Sequence, residues 1–165
     1  MFMMESTEWH GRYLRLAREV SQWSKDPSTK VGAVVIGEKG QVLSTGYNGF
    51  PRGVKDSFER LNDRPTKYKY VVHAEMNCIY NGSYTGVSLA GSTLYVWGLP
   101  VCSECAKGII QAGISRVVIP ERFTRNIPEK WKESWALTLE LFSESGVECH
   151  VVVDLGTDWT SSSSL

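Results

Sequence analysis

The chain has 165 residues, 42% of them hydrophobic and 22% charged, which is globular composition and argues against disorder. Eighteen Lys and Arg stand against eighteen Asp and Glu, so a polyanion-coating role, which needs a basic excess, is disfavoured. No apolar run approaches the ~20 residues that span a bilayer. The start, Met1-Phe2-Met3-Met4-Glu5, lacks the basic and long apolar segments of a secretory signal. One domain over residues 1–155 is expected, in the cytoplasm, where a C-x-x-C pair binds metal or does redox work more often than it forms a structural disulfide.

Trp9, Tyr13, Leu16, Ala17, Val20 and Trp23 recur at steps of three or four, the apolar face of a helix that Asp26-Pro27 ends. Residues 31–36 read as a buried strand, Glu38-Lys39-Gly40 as a turn and 41–46 as the returning strand of a hairpin. Residues 47–72 show no clean period. A connection of that length is functional or carries short helical turns, and it holds six basic residues against three acids. A helix is expected over 74–81, then a loop over 82–91, a strand over 93–97 and a helix over 103–112 stopped by Gly113. A strand over 116–120, an amphipathic helix over 129–145 closed by Gly146 and a strand over 147–153 follow. The tail, 156–165, is Ser/Thr-rich and expected to be flexible. Helices alternating with strands after the hairpin predict an α/β chain: a five-stranded mixed sheet between helical layers, α/β/α.

The chemistry concentrates in His73-Ala74-Glu75 and, 27 residues after Glu75, Cys102-Ser103-Glu104-Cys105. His73, Cys102 and Cys105 supply three zinc ligands, and a catalytic site leaves the fourth position for water. The expected helix start at the C-x-x-C favours thiolate over thiol through its free N–H groups and dipole. Glu75, two residues from His73, does not point with it on a helix and is placed instead to shuttle protons beside an activated water. A closed zinc site recruiting Cys78 or Cys149, or a redox dithiol, would use the cysteines but leave His73 and Glu75 without a role.

The spacing H-x-E…C-x-x-C is a signature of zinc nucleobase deaminases. Ser24 to Ala33 (SKDPSTKVGA), Gly46-Tyr-Asn-Gly-Phe-Pro51, His73-Ala-Glu-Met-Asn77 and Cys102-Ser-Glu-Cys-Ala-Lys107 with Gln111-Ala-Gly-Ile114 resemble the deoxycytidylate (dCMP) deaminases of phage and bacterial type, within the cytidine deaminase superfamily. The resemblance runs from about residue 9 to about 153. It implies the cytidine deaminase-like fold and hydrolysis of dCMP to dUMP and ammonia, which feeds dTTP synthesis. It implies one catalytic Zn2+ on His73, Cys102 and Cys105, Glu75 as proton shuttle, the Ala74 N–H on the pyrimidine 2-oxo group and Asn48 on a sugar hydroxyl. It further implies a homohexamer, in the host cytoplasm if phage-encoded. Activation by dCTP and inhibition by dTTP would occur around Gly46, Tyr47, Asn48 and Gly49, with Mg2+ on the triphosphate. No stable nucleic-acid or membrane partner is implied. Val101 stands where the family has proline, and no Cys precedes His73 to build the second, structural zinc of some members. Tyr84 lies near the register where the family often presents a basic residue.

A nucleotide substrate requires phosphate contacts, for which Arg52 and Lys55 of the basic segment rank first and Lys30 is a further candidate. Each also fits a solvated surface. Tyr47 suits base stacking or a hairpin-end cover, and Asn48 a turn. Glu104 fits a first-turn acid, and Cys78 and Cys149 small buried hydrophobes. His10 and His150 read as ordinary residues, and Trp9, Trp23, Trp131 and Trp135 as core or subunit contacts. Relatives acting on a base, a nucleoside, a polynucleotide or a pterin-type ring, and a non-catalytic nucleotide-binding regulator, are the competing functions.

Overall fold

Alternation along the strands decides which side of the sheet each residue serves. The structure, a computed structural model, describes residues 7–153; the tail expected over 156–165 lies outside them. In β1 (Gly32–Ile36), Ala33 and Val35 face one apolar cluster while Val34 and Ile36 face the other. β3 (Thr93–Trp97) splits likewise, Leu94 and Val96 against Tyr95 and Trp97. Both strands are buried along their whole length, as strands covered on two faces must be.

β2 (Val42–Tyr47), β4 (Arg116–Pro120) and β5 (Glu148–Val152) complete a five-stranded sheet of order β2-β1-β3-β4-β5. β1 runs antiparallel to β2 and β3, and β4 parallel to β3 and β5, so the sheet is mixed. α1 (Thr7–Ser21) covers one face with Tyr13, Leu14, Ala17 and Val20. α4 (Ala74–Thr85), α5 (Ser103–Gln111) and α7 (Glu129–Ser145) cover the other with Ala74, Cys78, Cys105, Ile109 and Phe142. This is the α/β/α sandwich expected from the sequence.

Three details of the helices have physical causes. α1 stops at Ser21 because the N–H groups of Gln22, Trp23 and Ser24 turn back to carbonyls three residues earlier, at 3.0–3.1 Å, tightening the chain ahead of Asp26-Pro27. Residues 47–72 fold into α2 (Phe58–Asn62) and α3 (Arg64–Tyr70), started by the side chains of Ser57 and Asp63 and, in α3, by Pro65 in the first turn. α4 continues through Gly82, whose bare backbone accepts the Leu89 side chain at about 3 Å from where a Cβ would lie, and ends at Gly86 with φ +74°. A short helix, α6 (Arg122–Arg125), was not foreseen.

At the outer strand β2, Asn77 and Asn81 of α4 donate to the carbonyls of Tyr47 and Thr45 at 2.8 and 2.7 Å. Among the described residues no helix is long and apolar enough to cross a membrane.

Candidate active site

Each half of the motif enters at the start of a helix. His73 is the residue preceding α4 and Cys102 the residue preceding α5, both with extended backbone. These two helix starts bring the His73 Nδ1 to 3.3 Å from Cys102 Sγ and 3.4 Å from Cys105 Sγ. The three donor atoms lie within 4.8 Å of one another. Tetrahedral zinc with its usual bond lengths requires about 3.5 Å between nitrogen and sulfur ligands, so the donor set fits that ion in both chemistry and spacing.

Electrostatics act in the same direction. Cys102 Sγ accepts the Cys105 N–H at 3.4 Å. The Cys105 thiol and the His73 ring lower the Cys102 thiol well below its ordinary range, while Cys105 is driven up because its neighbour already holds the charge. His73 is raised, first by its contact with Cys102. Glu75, in the first turn of α4 and 4% exposed, is pushed up to about 7, chiefly by burial. A carboxyl near neutrality gives and takes protons with little driving-force penalty.

These groups open onto a cavity of about 460 Å3, within the usual range for a small-molecule site. His73, Ala74, Glu75 and Cys102 form part of its lining. Ala74 begins α4, where a helix leaves N–H groups without internal partners. Leu99, Pro100 and Val101 add an apolar side. Val101, where the family has proline, is fully buried, and its carbonyl accepts the Thr138 hydroxyl at 2.8 Å.

The remaining expected residues separate. Asn48 lines the cavity, but its side chain is engaged: Oδ1 accepts the Val31 N–H at 2.8 Å and Nδ2 donates to the Thr29 carbonyl at 2.9 Å. It braces the chain between α1 and β1. Lys30 is exposed and does not line the cavity. Arg52 donates to the Asn81 Oδ1 and lies 4.9 Å from the centre of the Tyr84 ring. Lys55 is exposed, and neither it nor Arg52 lines the cavity. Gly46, Tyr47 and Gly49 sit on or beside β2, with the Tyr47 ring edge-on to Trp23 at 6.2 Å.

Two features were missed. Lys67, in the segment read as irregular, is 5% exposed and pairs with Asp26 at 3.1 Å beside the cavity. Its partner's Asp-Pro-Ser turn was the available signal, since a buried carboxylate demands a cation. Trp131 and Trp135, read as core or subunit contacts, line the cavity together with Ser134. Ser134 accepts the Ser103 N–H at 2.9 Å, tying α7 to the first turn of α5.

The chain matches the family described as the cytidine and deoxycytidylate deaminase zinc-binding region over residues 7–121. It is 39% identical over 142 residues to the deaminase in the luxG 3′ region of Aliivibrio fischeri, covering 86% of this chain and 92% of that one. It is 42% identical over 116 residues to the deoxycytidylate deaminase of Homo sapiens, covering 67% of this chain and 64% of the human enzyme; it thus spans under two thirds of that relative's length. The crystal structure of dCMP deaminase from cyanophage S-TIM5 in complex with dCMP and dUMP superposes with a TM-score of 0.69 at 28% identity, covering 89% of this chain and 98% of that one.

Proposed function

The chain belongs to the cytidine and deoxycytidylate deaminase family, and we propose that it is a hydrolase converting dCMP and water to dUMP and ammonia. The observation that carries this is the convergence of His73, Cys102 and Cys105 beside the buried Glu75, on a cavity of nucleotide-binding size. His73 Nδ1 and the two sulfurs would hold Zn2+. When bound, that ion supplies the activation of water for attack on C4 of the pyrimidine. Glu75 takes one proton from the attacking water and delivers it to ring N3, then takes the second from the hydroxyl added at C4 and delivers it to the departing 4-amino group, so that ammonia leaves and the 4-oxo group forms. The Ala74 N–H, at the free end of α4, holds the 2-oxo group. Burial keeps the Glu75 carboxyl poised for both directions of transfer. The likeness to the S-TIM5 enzyme, whose structure contains dCMP and dUMP, supports this substrate.

Regulation by dCTP and dTTP belongs to the same proposal, as do dUMP supply for dTTP synthesis, a hexameric assembly and a single cytoplasmic domain over residues 1–155. The effector, with Mg2+ on its triphosphate, would lie about Gly46, Tyr47, Asn48, Gly49, Arg52 and Lys55. In support, a second cavity of about 100 Å3 is lined by Lys25, Tyr47, Asn48, Gly49, Phe50 and Asp56 among others, and it shares Asp26, Asn48, Lys67 and Val71 with the first. Its volume admits only part of a nucleotide, so the effector would rest largely on its mouth.

The test is ammonia release from dCMP, cytidine and a single-stranded oligonucleotide, with and without dCTP and dTTP. Fastest turnover on dCMP, with sigmoidal kinetics made hyperbolic by dCTP, is the expected result. No release from dCMP refutes the catalytic proposal; hyperbolic kinetics indifferent to both triphosphates refute the regulatory one.

A further inference from the structure

We infer that Arg64 and Lys130 grip the 5′-phosphate of the substrate at the wall of the large cavity, and that Trp131 is the surface against which the nucleoside packs. This rests on the nucleotide deaminase proposal above and adds to it the residues that distinguish a nucleotide from a nucleoside.

The cavity presents three cationic side chains: Arg64, Lys67 and Lys130. Lys67 is already neutralised. Its Nζ stands 3.1 Å from Asp26 Oδ1, and both side chains are more than nine-tenths buried. A second anion on Lys67 would compete with a carboxylate that also accepts the N–H groups of Ser28 and Thr29 at 2.8 and 3.1 Å. Arg64 and Lys130 differ: both are exposed, and neither forms an ion pair among the described residues. A phosphate monoester brings about −1.5 to −2 charges at neutral pH. Arg64 offers the planar fork that binds two phosphate oxygens, and Lys130 a mobile point charge.

Lys130 Nζ lies 5.2 Å from the centre of the Trp131 ring, so the cation and the aromatic face are presented together. That is the pairing a nucleotide requires, an anion joined to a flat ring. Tyr68, half-exposed, lines the same cavity. The cations expected from the sequence to meet phosphate stand elsewhere, with Arg52 committed to Asn81 and Tyr84.

Lys130, Trp131, Ser134 and Trp135 lie in α7, beyond the region 7–121 that matches the family. The reacting end of the cavity is built from the region 7–121, which also supplies Arg64, and α7 adds Lys130 and Trp131. Through Ser134 on Ser103 and Thr138 on Val101, the same helix is fastened to the segment that carries Cys102.

Steady-state kinetics on dCMP and deoxycytidine, with calorimetric binding of dUMP and deoxyuridine, test the inference on wild type, Arg64→Gln, Lys130→Gln, the double variant, Trp131→Ala and Trp131→Phe. Each charge removal should reduce the preference for dCMP over deoxycytidine by about 10- to 100-fold, mainly through KM, and weaken dUMP binding in parallel. Arg64→Lys should recover part of the loss. Trp131→Ala should weaken dUMP and deoxyuridine together, and Trp131→Phe should restore most of that binding. A double variant that keeps the wild-type preference and dUMP affinity overturns the phosphate assignment. A Trp131→Ala variant that binds both products normally overturns the platform. Wild-type protein that releases no ammonia from dCMP sinks the underlying catalytic proposal instead, a result separate from either.

Discussion

Replacing Gly46 by alanine tests whether the Gly-Tyr-Asn-Gly segment serves packing before it serves any ligand. Gly46 pairs with Ala33 in the β1–β2 ladder, and α4 lies directly against it. A Cβ there would stand 2.3 Å from the Cys78 nitrogen, 2.6 Å from the Ala74 oxygen and 2.8 Å from the Asn77 carbonyl carbon. All three are backbone atoms, so no side chain can swing aside. Restoring an ordinary contact distance requires β2 and α4 to separate by about 1 Å, and overpacking of this kind costs about 1–3 kcal/mol. Because α4 begins with Ala74 and Glu75, the same displacement moves the Glu75 carboxyl, and if that group is the proposed proton shuttle a misplacement of that size costs about 100-fold in rate. Gly49→Ala is the internal comparison, since its Cβ meets only Tyr47 ring carbons at 3.8 and 4.0 Å. Its stability should stay within about 0.5 kcal/mol of wild type. Urea unfolding and ammonia release from saturating dCMP report the two effects. Gly46→Ala protein with wild-type midpoint and basal rate would refute the packing argument and leave effector binding as the reason for glycine at this position.

Glu75→Gln should retain fold and zinc while turnover on dCMP falls by about 10²- to 10⁴-fold, as metal analysis beside an ammonia assay will show; a near-wild-type rate removes Glu75 from proton transfer. Cys102→Ala should lose zinc, read as metal content per chain after dialysis, and full occupancy would overturn the ligand assignment. Thr138→Val keeps the shape of a fully buried side chain but strands the Val101 carbonyl, at a cost of about 1–3 kcal/mol. Because Val101 adjoins Cys102, zinc release to a chelator should quicken in that variant, and unchanged stability would show that the bond contributes nothing.

The fold was legible where burial on both faces leaves a chain little choice. The strands expected over 93–97 and 116–120 and the helix over 129–145 are observed with those bounds. The motif residues were legible because helix starts hold them: an N-terminal junction is written locally, in His73-Ala74 and in Cys102-Ser103. The cavity's far wall was not. Trp131 and Trp135 carry helical spacing whether they face a core or a ligand, and only the seating of α7 on Ser103 and Val101 turns them toward the site. Asn48 shows the converse. Its neighbours mark it for a ligand or a turn, but its amide is spent on Val31 and Thr29, 17 and 19 residues away in sequence, a partnership no local pattern records. Lys67 was hidden for the same reason, its counter-ion lying 41 residues earlier.

The two asparagines of α4 that reach the carbonyls of Thr45 and Tyr47 also act against strand pairing at the edge of the sheet. A free outermost strand offers unpaired acceptors to any passing chain, the usual seed of edge-to-edge polymerisation. With alternate acceptors already stoppered one helical turn apart, an incoming strand finds no continuous row to copy. Truncating Asn77 and Asn81 together would therefore surface first as loss of colloidal solubility.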